Sequence, residues 1–168
     1  MYDFDVVRIS SGELYGPYKV SSTMLSTGWV GGTWCKYDTA ISFRDGSAIR
    51  VDRTLGVGGP MTAIGFILRA SYEETDQYTS FYPGKTGVVT VCQTGHYLFK
   101  YFETLDLAER TTPGSGSALV YSLNQNLYVS SNGLLTNEIE TASARVIGYC
   151  SGVPADNDNY LGADVLFP

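Results

Sequence analysis

The chain has 168 residues, enough for one domain with a real core, or a small domain carrying an extended arm, and too few for two full domains. Its apolar fraction of 43% is above that of disordered chains, while only 17% of residues are charged, against about 25% in a typical soluble domain, and a surface poor in charge suits a protein whose faces are covered by neighbours. Lys plus Arg number 11 against 17 acids, a net charge of −6 with the basic residues scattered singly, which argues against direct nucleic-acid binding; no apolar run approaches the roughly 20 residues that span a bilayer, which argues against a membrane span.

The first residues, Met1 to Asp5, carry neither a basic nor an apolar leader pattern, so folding in a reducing cytoplasm is the expectation. Cys35, Cys92 and Cys150 are odd in number, far apart and form no CxxC pair, which argues against a disulfide framework or a zinc site and leaves them as small buried hydrophobes. His96 is the single histidine. No metal and no other cofactor is expected.

Short apolar runs are punctuated about every ten residues by Gly, Asn, Asp or Pro, the rhythm of strands and turns, so the fold class expected is all-β: one small barrel or sandwich-like domain over 28–168, preceded by an N-terminal arm or first strand over 1–27. In the first 27 residues the apolar positions Phe4, Val6, Val7, Ile9, Leu14, Tyr15, Tyr18 and Val20 fit neither a long helix nor a clean ladder. Residues 28–34 place Trp29 and Trp34 in a glycine-rich turn. Runs 39–43 and 47–51 alternate polar and apolar around Asp45-Gly46, which predicts a hairpin. A loop at 56–60, a buried strand at 62–69, an exposed acidic connection at 71–80 and a turn at 82–85 follow. Residues 87–92 and 96–102, separated by Thr94-Gly95, predict a second hairpin.

The stretch 103–110 is the one piece with helical character, too short to hold without tertiary support. A loop at 111–117 leads to a regular last third: strands at 118–122, 126–130, 134–136, 144–150 and 161–167, with Asn132-Gly133 the strongest turn signal in the chain.

Leu127-Tyr128-Val129-Ser130-Ser131-Asn132-Gly133-Leu134-Leu135-Thr136, then Ala144 to Gly148, then the Pro154-containing loop and Tyr160 to Leu166, resembles the small β-domain of head decoration, or cement, proteins of tailed bacteriophages. The resemblance covers about the last 50 residues and, loosely, 87–110. It implies a structural virion protein on the outside of the capsid, made in the host cytoplasm. Such a protein binds and bridges major capsid protein subunits, assembles with itself as a small homo-oligomer such as a trimer, and stabilises the shell against internal DNA pressure. An N-terminal arm laid on the lattice would suit residues 1–27. No catalytic residues come with the resemblance.

Candidate interface residues are Tyr2, Phe4, Leu14, Tyr15, Tyr18, Trp29 and Trp34, because aromatic side chains anchor interfaces; the competing reading packs both tryptophans in the core. Two rivals stand beside the capsid reading. A carbohydrate- or receptor-binding module of a phage tail or fibre would use tryptophan and tyrosine faces. A small hydrolase would use Glu73 or His96, but Glu73, Glu74 and Asp76 are misplaced for a facing carboxylate pair, and no GxSxG elbow accompanies His96. Asp156 to Asn159 departs from a calcium-loop pattern and reads as an Asx-rich turn, and Pro113 to Ser117 lacks the Lys-Ser/Thr of a phosphate loop.

Overall fold

The computed structural model describes residues 6–8, 14–37, 50–53, 63–68, 88–142, 144–155 and 159–166. Eleven strands run through them: β1 (Val6–Arg8), β2 (Leu14–Val20), β3 (Trp34–Tyr37), β4 (Arg50–Arg53), β5 (Gly65–Ile67), β6 (Val88–Cys92), β7 (Thr94–Phe99), β8 (Asn126–Val129), β9 (Leu135–Thr136), β10 (Gly148–Gly152) and β11 (Leu161–Leu166). Two short helices join them, α1 (Ser22–Thr27) and α2 (Leu107–Thr111). The fold is all-β, as the residue pattern predicts.

The strands form two layers. One is a six-stranded antiparallel sheet in the order β1-β7-β11-β10-β8-β9; the other is a closed five-stranded barrel in the order β2-β4-β3-β5-β6, in which β2 and β4 run parallel. Alternation along the barrel strands explains how the layers meet. Cys35, Ile67, Val89 and Val91 turn inward with Val20, and α1 supplies Met24 to this cluster, together with Trp29 just beyond it. The neighbouring positions Trp34, Phe66 and Cys92 turn outward onto Tyr97, Phe99, Leu127, Ile147, Leu161 and Val165 of the sheet. One aromatic core therefore sits between sheet and barrel, and a second, smaller one fills the barrel.

Helix α1 was not expected from the Ser- and Thr-rich string that forms it. Its ends explain it: the Ser21 hydroxyl accepts the Met24 N–H at 3.1 Å, and Gly28, at φ +71°, closes the far end by donating to the Met24 carbonyl at 2.8 Å. The expected helix at 103–110 starts later, at Leu107, where Asp106 caps it by accepting the Glu109 N–H at 2.7 Å.

The hairpin expected from 87–92 and 96–102 does not form. β6 pairs with β2 and β5, whereas β7 pairs with β1 and β11. Gln93 alone separates β6 from β7, and a hairpin needs a loop of at least two residues; the chain turns a corner between the layers instead, with the Gln93 amide donating to the Ile64 carbonyl at 2.6 Å. Of the strand expected at 62–69, the described residues 63–68 form strand at 65–67, and the one expected at 144–150 begins at Gly148. At 118–122 there is only an isolated bridge, Leu105 to Ala118. Trp34 opens strand β3 rather than lying in a turn. The hairpin turn expected at Asp45-Gly46, the loop at 56–60, the acidic connection at 71–80 and the turn at 82–85 lie outside the described residues, as do Glu73, Glu74 and Asp76.

Within residues 1–27, β1 adds to the edge of the sheet against β7, β2 closes the barrel against β6, and α1 follows directly.

Candidate functional site

The site begins where β7 ends. Beyond Phe99 the chain bends at Lys100, passes through isolated bridges at Phe102 and Leu105, leaves for α2 and a turn-rich loop, and returns as Ser117 to Tyr121. Outgoing and returning segments are tied by Asp106 N–H to the Ser117 carbonyl at 3.0 Å and Leu119 N–H to the Thr104 carbonyl at 2.8 Å. This places Phe102 and Tyr121 side by side, ring centroids 5.4 Å apart and planes at 89°, the edge-to-face geometry that aromatic quadrupoles favour. The Tyr121 hydroxyl donates to the Glu103 carbonyl at 2.6 Å, so its polar tip points into the protein. Burial, helped by the nearby Glu103 carboxylate, pushes the Tyr121 phenol above its ordinary range.

A third segment, the connection from β10 to β11, brings Val153, Pro154 and Asn159 against these two. Together with Lys100, Thr104, Leu119 and Val120 they line an open cleft of about 550 Å³, within the range of about 300–1,000 Å³ seen for binding pockets. Its floor is aromatic and its walls aliphatic. Val120 is 78% exposed and Val153 45%, and Leu123 (59%) and Ile139 (61%) stand out nearby in sequence or through the Asn137 side chain, which donates to the Val120 carbonyl at 2.7 Å. Large apolar side chains left in water beside a formed cleft mark a surface that gains free energy when covered.

A polar node stiffens the cleft from behind. Glu103 is buried and accepts hydrogen bonds from the Ser130 hydroxyl at 2.6 Å and the Asn132 amide at 3.0 Å. Arg110 of α2 reaches Glu103 at 3.3 Å, Glu138 at 3.7 Å and, in its closest contact, Glu140, and its Nε donates to the Leu105 carbonyl at 3.0 Å. Glu140 also accepts the Ser131 N–H at 2.7 Å, and Glu138 the Leu107 N–H at 2.7 Å. The node locks α2 and the segment 138–140 onto the β8–β9 turn.

The candidate residues read from the sequence fall elsewhere. Trp29 and Trp34, expected as interface anchors, are 4% and 0% exposed and belong to the two cores, which also removes them as a sugar-stacking platform. Tyr18 is half-buried against the barrel cluster, its ring 6.4 Å from that of Tyr37. Leu14 and Tyr15 lie on β2, paired with Cys92 and Val91; Tyr2 and Phe4 lie outside the described residues. His96 pairs with its cross-strand neighbour Asp164, Nδ1 to Oδ1 at 2.6 Å, on the outer face of the sheet. Cys35, Cys92 and Cys150 are buried thiols outside any disulfide. Among the described residues no group of His, Cys, Asp and Glu is gathered to hold a metal ion, and no helix is long and apolar enough to cross a membrane.

Sequence reasoning missed Phe102, Tyr121, Val120 and Val153. They come from three separate segments, and only Val120 and Val153, apolar residues next to loop signals, hinted at exposure. No family model matches the chain, and neither a curated protein nor a solved structure does.

Proposed function

We propose that this chain is a structural virion protein that binds the outside of a phage capsid, bridges major capsid protein subunits and assembles with itself as a small oligomer, its contacts made through the Phe102–Tyr121 cleft and the apolar side chains around it. The observation that carries the reading is the exposure of Val120 and Val153 at the mouth of an aromatic-floored cleft. Fully burying one such side chain contributes about 1.5–3 kcal/mol. A weak site of that kind becomes effective when several copies act together on a repeating lattice, because linked sites raise effective concentration, and binding to the assembled shell then stabilises it by mass action.

Two further observations support the reading. The segments that resemble cement proteins, 127–136, 144–148 and 160–166, supply most of β8, all of β9 and β11, and the lead into β10, which are consecutive neighbours in one sheet. The charge-poor composition fits a protein largely covered by partners.

The test is co-sedimentation with emptied phage heads, alongside mass determination by light scattering, comparing the natural chain with a Val120→Ser, Val153→Ser double variant. Both positions are solvent-facing, so the fold is spared. Removing residues 1–20 is the poorer comparison, since it deletes β1 and β2 and opens the barrel. Decoration by the natural chain that the double variant loses supports the reading. Absence of decoration, or retention on glycans in its place, overturns it.

A further inference from the structure

We propose that Asn132 is a self-modification site gated by the Glu103–Arg110 node: its side-chain amide is lost to water when the node opens, and the carboxylate that replaces it keeps the node from closing again. The inference concerns the chain itself and holds whatever the cleft binds.

Asn132-Gly133 is the one Asn-Gly pair in the sequence. Asn is among the thermolabile residues, and Gly133 has no side chain to shield its backbone nitrogen, which can attack Asn132 Cγ. The N–Cγ bond forms, the Cγ–Nδ2 bond breaks, and ammonia leaves with the proton given up by the Gly133 nitrogen. Water then opens the cyclic imide at either of its C–N bonds, giving aspartate or an isoaspartate whose main chain runs through Cβ. The sum is amide plus water to carboxylate plus ammonium, with nothing oxidised or reduced.

In the closed node both reacting groups are committed elsewhere. The Gly133 N–H donates to the Ser130 carbonyl at 3.0 Å, and the Gly133 carbonyl accepts the Trp34 N–H at 2.8 Å. Asn132 Nδ2 donates to Glu103 Oε1 at 3.0 Å, and the Asn132 N–H to the Ser130 hydroxyl at 3.2 Å. Glu103 is in turn held by Arg110 at 3.3 Å, so the Asn132 amide is released when that pair parts. Asn132 is itself an exposed residue, so water reaches it. After the reaction, an aspartate oxygen stands where an N–H donor faced a carboxylate that is 5% exposed, and like charges so placed repel strongly. Isoaspartate also displaces Gly133, and with it the bond to Trp34 that ties the β8–β9 turn to the barrel. Either product makes the opening one-way.

Peptide mapping of the full chain after warm incubation in mildly alkaline buffer reads aspartate and isoaspartate at position 132, with the chain unfolded in urea as reference. The expected rate is on the order of 100-fold slower in the folded chain, the population ratio that opening a buried ion pair implies. Arg110→Lys should raise the folded rate several-fold. Met24→Ala, which leaves a void in the other core cluster, should lower stability and leave the rate at Asn132 unchanged. Asn132→Asp should melt below Asn132→Ser, which loses the amide without gaining a charge. A folded chain that reacts as fast as the unfolded one, acceleration by Met24→Ala equal to that by Arg110→Lys, or equal melting of the two Asn132 variants overturns the inference.

Discussion

The ring of Phe66 stands edge-on to that of Tyr97, centroids 4.9 Å apart and planes at 86°, and this contact joins the barrel to the six-stranded sheet. Phe66 also meets Phe99 at 4.9 Å and 66° and Trp34 at 5.4 Å. It is fully buried, and it is the barrel residue on which the aromatic rings of the interlayer core converge.

Phe66→Ala should therefore cost about 3–5 kcal/mol, the range for truncating a buried aromatic, a large share of a domain stability of about 5–15 kcal/mol. Because the void lies between layers, both should respond. Urea unfolding followed by tryptophan fluorescence, which reports Trp29 in the barrel cluster and Trp34 in the interlayer core, should show one transition at a lower midpoint. A loss below about 1 kcal/mol, or a transition that splits in two, would contradict the role given to Phe66.

Arg110 faces three carboxylates, Glu103, Glu138 and Glu140, and its own side chain is 11% exposed. Removing the cation leaves buried acids facing one another, the situation in which breaking a buried ion pair costs about 3–5 kcal/mol. Arg110→Ala should lose stability on that scale. Arg110→Lys should recover only a fraction, because one ammonium does not reproduce a planar fork reaching several acceptors. Thermal unfolding reads both effects; a loss below about 1 kcal/mol in Arg110→Ala, or full recovery by Arg110→Lys, would count against the node.

Much of the fold was legible, and the reasons are local. Around Asn132-Gly133 the chain turns as its residue types require: Gly133 sits at φ +78°, its N–H donates to the Ser130 carbonyl at 3.0 Å, and β8 and β9 pair on either side. Strand β6 follows its β-branched run, Val88 to Val91. What the pattern does not encode is which strand pairs with which, so the corner at Gln93 reads like a hairpin until the partners of β6 and β7 are known. Glu103 illustrates the same limit. In sequence it is the first polar residue of a short helical stretch, and only Ser130, Asn132 and Arg110, brought in from other elements, make its burial tolerable. The tryptophans failed as site markers because large aromatic rings serve cores and interfaces alike, while the cleft is built by three segments whose convergence leaves no spacing to read.

The loop beyond α2 is held by two acids of the helix and its N-cap, Glu109 and Asp106, which gives it a pH dependence of definite sign. Asp106 accepts the N–H groups of Glu109 at 2.7 Å and Ser117 at 2.8 Å and the Ser117 hydroxyl at 3.1 Å; Glu109 accepts the N–H groups of Gly114 and Gly116, each at 2.9 Å. The backbone donor of Glu109 for Asp106, and that of Gly114 for Glu109, lead in holding both carboxyls below the ordinary carboxylate range. A group whose folded pKa is depressed contributes while ionised, so the latch is complete above about pH 4 and is lost as pH falls through the lower folded values. The amide resonances of Gly114, Gly116 and Ser117 should stay constant from pH 8 down to about 4.5 and move only below that. Glu109→Gln should loosen Gly114 and Gly116 at neutral pH while leaving the Ser117 bonds to Asp106, seen as faster amide exchange at the first two positions alone. Gly116→Ala should disturb both sets at every pH, because a Cβ there would overlap the Asp106 carboxylate and come within 2.5 Å of the Glu109 nitrogen. Titration of these amides above pH 5, or exchange unaltered in Glu109→Gln, would show that the carboxylates do not hold the loop.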